Sequence, residues 1–161
     1  MRKSDREVTE PAEKLAVLLR CDFMTLALAE EEAPYALPLN FGAEVRGGVL
    51  YLYFHCAREG KKLDLLRAAP KVGFSAAHLL RIFNKGVAPC GYTTDYESIC
   101  GWGVARILQT DAEREHALRV LMAHYTGETF AHVPFHPHSL SLTETVEICV
   151  QEWTCKRLVR P

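Results

Sequence analysis

A chain of 161 residues with 48% hydrophobic and 24% charged residues has ordinary globular usage, which excludes a disordered or collagen-like protein. The length suits one domain with a substantial core, spanning residues 1–161 and fronted by a polar arm at 1–8. A formal net charge of −1 supplies no global field to draw in nucleic acid or an anionic membrane.

No apolar run approaches the ~18 residues needed to span a bilayer. The opening MRKSDREVTEP is charged, with no apolar segment behind it, so a secretory signal is not expected and a cytoplasmic location is. Cysteines stand at positions 21, 56, 90, 100, 149 and 155. Their spacing matches no zinc motif, and the reading is reduced thiols used as small hydrophobes.

Thr9-Glu10-Pro11 opens a first helix, with Thr9 as cap, Pro11 in the first turn and Leu15, Leu18 and Leu19 as its apolar stripe; it ends near Cys21. FMTLALA (23–29) reads as a strand. PYALPLNFGAEV (34–45) reads as one extended strand, irregular at Pro34 and Pro38. Arg46-Gly47-Gly48 turns the chain into VLYLYFH (49–55), a strand apolar on both faces and therefore central. Residues 59–69 are helical until Pro70 stops them, and KVGFSAA (71–77) is a strand. Residues 80–95 read mostly as loop. YESICGWGVARIL (96–108) is a long strand in which Gly101 and Gly103 mark a bulge or a close backbone approach. Thr110 to Glu113 is a capping box for a helix with Leu118, Leu121, Met122 and Tyr125 on one face, ending at Gly127. Residues 128–141 read as loop and 143–153 as an alternating strand. The sum is mainly β: six antiparallel strands forming a barrel, with about three peripheral helices.

YFHCAREGKK (53–62) holds a charge anomaly. Lys61 and Lys62 begin a helix, where the backbone dipole is already positive. A bound anion would make them favourable, with Gly60 admitting it to the backbone and His55 or Arg58 donating from the strand end. A solvated basic turn offset by Glu59 explains the same residues. Asn40, inside PLNFG, breaks an apolar strand: either it bonds a neighbouring turn, or it offers its amide to a planar polar ligand. Tyr92, Thr93, Thr94, Tyr96 and Ser98 crowd hydroxyls that suit phosphate or polyol recognition, and suit an amphipathic strand equally. His132, His136 and His138 lie close in sequence, and Glu113 precedes His116 by one helical turn. Neither set completes a metal motif, so no metal is assigned.

Taken in order, PLNFG, LYFHCAREGKKLDLL and CGYTTDYESICGWGVA resemble the pyridoxamine 5′-phosphate oxidase-related flavoproteins, in the nitroimidazole-resistance (NimA-like) branch. The resemblance runs from the helix at 11–21 to the strand at 143–153. It implies a split β-barrel that binds FMN at a homodimer interface. By the same resemblance His55, Lys61 and Lys62 hold the FMN phosphate, with Arg58 as helper. Leu39, Asn40 and Phe41 lie along the isoalloxazine, and Tyr96 and Ser98 finish the pocket, from the same or the other subunit. The end of the chain, WTCKRLVRP, lacks the Arg-x-His that grips the B6 vitamer in the oxidase proper, so vitamin B6 oxidation is not expected. Cys56 stands where many relatives have Ser or Ala. The implied activity is an FMN-dependent oxidoreductase passing NAD(P)H-derived electrons to a small electron-poor substrate, such as a nitro compound or quinone. A non-catalytic flavin- or haem-binding barrel, with His55 as an axial ligand, is the alternative.

Overall fold

Antiparallel pairing joins every strand of the computed structural model, which describes residues 4–160. In chain order the elements are β1 (Glu7–Val8), α1 (Pro11–Leu18), β2 (Met24–Leu28), β3 (Tyr35–Leu39), β4 (Gly42–Arg46), β5 (Val49–Ala57), α2 (Lys61–Ala68), β6 (Lys71–Asn84), β7 (Tyr92–Ile107), α3 (Asp111–Thr126), α4 (Pro137–Ser141) and β8 (Thr143–Leu158). The sheet order is β3-β2-β6-β7-β8-β5-β4, with β1 beside β8. That is the split barrel expected, with eight strands and four helices among the described residues rather than six and three.

The barrel is split because β3 and β4 are the two ends of the hydrogen-bonded path, yet only Asn40 and Phe41 separate them in the chain. The single strand expected at 34–45 is therefore two. Its first half pairs with β2 and its second with β5. Each half is extended and apolar enough to join a sheet, so the change of partner leaves no mark in the hydrophobic pattern. β5 lies one strand from the edge rather than at the centre. Its two-sided apolarity has another cause: Leu50, Leu52 and Phe54 enter the main core, while Tyr53 is buried with Leu108 and Ala117 under α3.

Residues 80–95 are loop only at 85–91. β6 and β7 continue as a hairpin to the pair Asn84↔Tyr92, with an irregularity between Leu79 and Arg81. Arg81 and Asp95 face each other across the ladder, where the guanidinium grips a fully buried carboxylate at 2.6 Å. Gly101 and Gly103 behave as their spacing suggests. A Cβ on Gly101 would meet Glu152 O at 2.6 Å, one on Gly103 would meet Cys149 O at 2.6 Å, and the register with β8 slips between Trp102 and Gly103.

The helices follow their local signals unevenly. Thr110 and Glu113 form the reciprocal capping box, and Gly127 ends α3 at φ 74°. α3 buries Ala117 and Leu121, however, and leaves Met122 and Tyr125 exposed. α1 is capped at Glu10 with no side-chain bond, so Thr9 is not its cap; the helix ends at Leu18, and Leu19 faces solvent. α4 and the last residues of β8 lie where loop or chain end was expected. All six cysteines are free thiols.

Candidate functional site

β5 and α2 meet at a tight corner. Gly60 caps α2 at φ 128°, a conformation open in practice only to glycine, and it has no side chain to bond the first helical N–H groups. A Cβ there would touch nothing within 4 Å, so the backbone faces open space. Lys61 and Lys62 are the first two residues of the helix. With Tyr35, Cys56 and Gly60 they line a cavity of about 200 Å³.

The charge anomaly in the sequence is partly answered within the chain. Lys61 Nζ sits 2.6 Å from Glu30 Oε1 and 5.0 Å from the centre of the Tyr35 ring. Lys62 Nζ lies 5.3 Å from the Phe54 ring centre and pairs with no carboxylate among the described residues. Glu30 and Tyr35 are site residues that sequence reasoning missed. The only signal was the acidic run Glu30-Glu31-Glu32 between two strands, which reads as an ordinary solvated turn.

His55 ends the apolar part of β5. Partial burial lowers its basicity, and the charge of Lys62 lowers it further, so its imidazole is neutral at pH 7. Burial likewise raises the pKa of the Cys56 thiol, opposed by Lys62. A thiol shifted that way is a poor nucleophile. Arg58 turns elsewhere: its Nε lies 3.2 Å from Glu144 Oε1, and its Nη1 donates to Ser141 O at 2.9 Å.

Leu39, Asn40 and Phe41 form the crossing between the two barrel edges. Leu39 ends β3 opposite Met24, and Asn40 is exposed. Phe41 is fully buried, its N–H donates to the Tyr125 hydroxyl at 3.1 Å, and its ring meets His124 edge-on at 4.5 Å. Tyr125 in turn donates to Asp22 O at 2.7 Å. α3 therefore clamps the crossing, and a Cβ on Gly42 would come within 2.6 Å of the Leu121 backbone.

Within one chain Tyr96 and Ser98 lie far along the sheet from His55, though not from Leu39. Ser98 pairs with Lys156 at the far end of β8, whereas His55 pairs with Thr145 near its start, and Thr145 O accepts from Leu108 N. By way of β8 the row of His55 lies about ten residues along β7 from Ser98, roughly 33 Å of strand at ~3.3 Å per residue, whereas by way of β6 and β2 Ile99 is three strands from Leu39, roughly 14 Å.

Buried acids also escaped the sequence reading. Burial alone would raise the Glu97 carboxyl's pKa, but hydrogen bonds from Arg20 (2.8 Å) and Arg157 hold it below the ordinary range. Asp95 is treated likewise by Arg81 and Arg160, and Glu147 by Arg106, Tyr53 and Arg46. These partners come from distant strands and helices. Among the described residues no group of three or more His, Cys, Asp or Glu is placed to hold a metal ion. No helix there is long and apolar enough to cross a membrane.

Solved structures share this architecture. A candidate 5-nitroimidazole antibiotic resistance protein from Bacteroides thetaiotaomicron superposes with a TM-score of 0.77 at 22% identity, over 93% of this chain and 85% of that one. The flavocytochrome Anf3 from Azotobacter vinelandii gives 0.79 at 16% identity, over 100% and 73%. The FAD and haem binding protein from Mycobacterium smegmatis gives 0.74 at 21%, over 94% and 73%. No curated protein matches the chain. At such identities the likeness shows the fold alone. The sequence reaches further, because the pyridoxamine 5′-phosphate oxidase family model matches residues 8–157, nearly the whole length. The chain belongs to the pyridoxamine 5′-phosphate oxidase family.

Proposed function

We propose that the chain binds FMN as a single-domain homodimer, with the flavin at the subunit interface. It then acts as an oxidoreductase that reduces small electron-poor substrates of the nitro or quinone type with NAD(P)H-derived electrons. The observation that carries the reading is the pair Lys61–Lys62 on the uncapped start of α2, beside the open backbone of Gly60. Two ammonium groups, free helical N–H groups and an accessible glycine fit a phosphate monoester. Family membership supports FMN as its bearer, and the names of similar structures, a flavocytochrome and an FAD and haem binding protein among them, support a flavin.

Bound FMN supplies hydride and single-electron transfer. The chain's own residues bind and orient. Lys61 and Lys62 balance the phosphate charge. His55, neutral and at the strand end, donates one ring N–H while its other nitrogen accepts. The backbone of Leu39, Asn40 and Phe41 offers polar groups along the ring edge, held in place by the α3 clamp on Phe41. Ile99, next to Ser98, shares a row with Ala76, Met24 and Leu39, so Tyr96 and Ser98 would finish the pocket from the same or a second subunit. Arg58 reaches the site only by giving up Glu144.

Addition of FMN to purified protein is expected to give saturable binding at micromolar concentration, read as quenching of flavin fluorescence. Lys61→Ala with Lys62→Ala should weaken it by about a hundredfold or more, at ~1.5–3 kcal/mol for each hydrogen bond to a charged group. Unchanged FMN affinity in that double variant would sink the reading. A second reading, a flavin- or haem-binding protein without turnover, is favoured by the haem in the name of one similar structure, by the word flavocytochrome in another, and by the neutral, accessible imidazole of His55. A Soret band on haem addition, without FMN binding, would select it. Anaerobic NADH or NADPH titration of FMN-loaded protein over a panel of nitro compounds decides turnover.

A further inference from the structure

A larger cavity, of about 480 Å³, opens between β4, α3 and the segment that follows α3. It shares no lining residue with the one at Lys61 and Lys62. Its walls are mostly apolar, from Leu19, Ala43, Val120, Ala123 and Ala131, and its polar groups include Glu44, His116 and Arg119. That size, with an apolar lining and few convergent polar groups, is the form of a small-molecule site.

The polar groups state the chemistry of the occupant. Glu44 Oε1 is fully engaged: it accepts from the Tyr53 hydroxyl at 2.7 Å and lies 2.6 Å from His116 Nε2 and 3.1 Å from Arg46 Nε. Among the described residues Oε2 of the same carboxylate has no partner, and it is not shut in the core, since the side chain keeps 23% of its exposure. Three donors fix the carboxylate while one oxygen stays available on a residue lining the cavity.

Charge points the same way. Three carboxylates, of Glu44, Glu113 and Glu147, share two guanidiniums, of Arg46 and Arg106. Among these five groups one negative charge is left over. Arg119 offers nothing to an anion, because it donates to the carbonyls of Phe130 and Val133 and to Glu115. Those same bonds fasten the cavity's outer wall, and they do so across Phe130, the single non-glycine residue with positive φ (51°) among the described residues. Strained backbone of that kind clusters at ligand clamps.

We propose that this cavity is a second binding site, for a small molecule with an aromatic or aliphatic body and a protonated amine, anchored by the amine on Glu44 Oε2. The site does not depend on flavin.

The test is a nuclear magnetic resonance titration of the whole chain with benzylamine, followed through backbone amide signals. Saturable shifts centred on Ala43, Glu44, Ala123 and Ala131 are expected, with benzyl alcohol about tenfold weaker and phenylacetate without effect. Glu44→Gln should weaken benzylamine about tenfold or more, as expected for a lost hydrogen bond to a charged group. Glu44 also anchors Tyr53 and Arg46, so Ala123→Leu provides an independent variant: it fills the cavity, leaves the carboxylate in place and should abolish the shifts while amide dispersion reports an intact fold. Non-saturating shifts scattered over the surface would overturn the site. So would wild-type binding in either folded variant.

Discussion

Glu30 Oε1 lies 2.6 Å from Lys61 Nζ, so a carboxylate of the chain itself occupies one cation at the start of α2. A phosphate bound there would compete with it for the ammonium. The pair is partly exposed, with 54% of the Lys61 side chain and 30% of the Glu30 side chain accessible, and such pairs contribute about 0–1 kcal/mol. Glu30→Gln is therefore expected to leave the urea midpoint almost unchanged while tightening FMN binding severalfold, since ~1 kcal/mol is about a fivefold change. Fluorescence titration of the variant checks this; weaker binding would mean that Glu30 supports the site instead of competing with it.

Tyr53 places one hydroxyl between two carboxylates, 2.7 Å from Glu44 and 3.0 Å from Glu147. Burial raises its pKa far above the ordinary phenol value, and the two acids raise it further, so the group is a donor at every working pH. Tyr53→Phe removes the proton that separates them. A loss of about 2 kcal/mol in unfolding free energy is expected, the scale of a hydrogen bond to a charged group. A variant as stable as the parent in urea would show that the hydroxyl contributes nothing net.

Glu97 has 2% of its side chain accessible and depends on Arg20 and Arg157. Arg157→Met leaves the acid with one partner and should cost roughly 3 kcal/mol, the lower range for breaking a buried pair. Chemical denaturation measures it directly. A loss below ~1 kcal/mol would show that Arg20 alone suffices.

Acid should destabilise the protein in two stages. His55 and His124 titrate below the ordinary 6.5 in the fold, both first through burial, so the unfolded chain binds their protons more readily and stability begins to fall as pH drops through about 6.5. Glu97 and Glu147 lie below their ordinary 4.5, and Glu113, bonded by Arg106 and by Thr110, is held down at about 2. Their contribution is complete above pH ~4.5 and disappears as pH falls through the depressed folded values. Unfolding free energies taken from pH 7.5 to 3 should decline gently, then steeply. A flat profile down to pH 4 would contradict the histidine part.

Gly42 has no room for a side chain, because a Cβ would stand 2.6 Å from the Leu121 backbone. Gly42→Ala must push α3 off β4 and is expected to cost about 1–3 kcal/mol. It should also loosen the Phe41–Tyr125 contact, visible as faster amide exchange at Phe41.

What could be read from the residues was local. Alternation in β8, the Thr110–Glu113 box, Gly127 and the glycines of β7 each declare themselves within a few positions, and so does the crowding of Lys61 and Lys62. The change of partner at Asn40–Phe41 could not be read, since both halves of the segment are good strands and only the sheet order parts them. Residues 80–95 looked like loop because Asn84, Gly86, Pro89 and Gly91 lie among them, and the Arg81–Asp95 pair that closes the ladder is visible only after the hairpin forms. The Glu97 network spans residues 13 to 157, beyond any pattern within the sequence. Glu30 was missed for the same reason: nothing in an acidic turn shows which helix it will face.

The parted seam has a consequence for solubility. Its two rims, β3 and β4, carry the outermost backbone groups of the sheet, where a strand from another molecule could add. Pro38 removes one donor from the first rim, and Glu44 and Arg46 place charges on the second. The rims that let the barrel open are thus also the ones blunted against edge-to-edge aggregation.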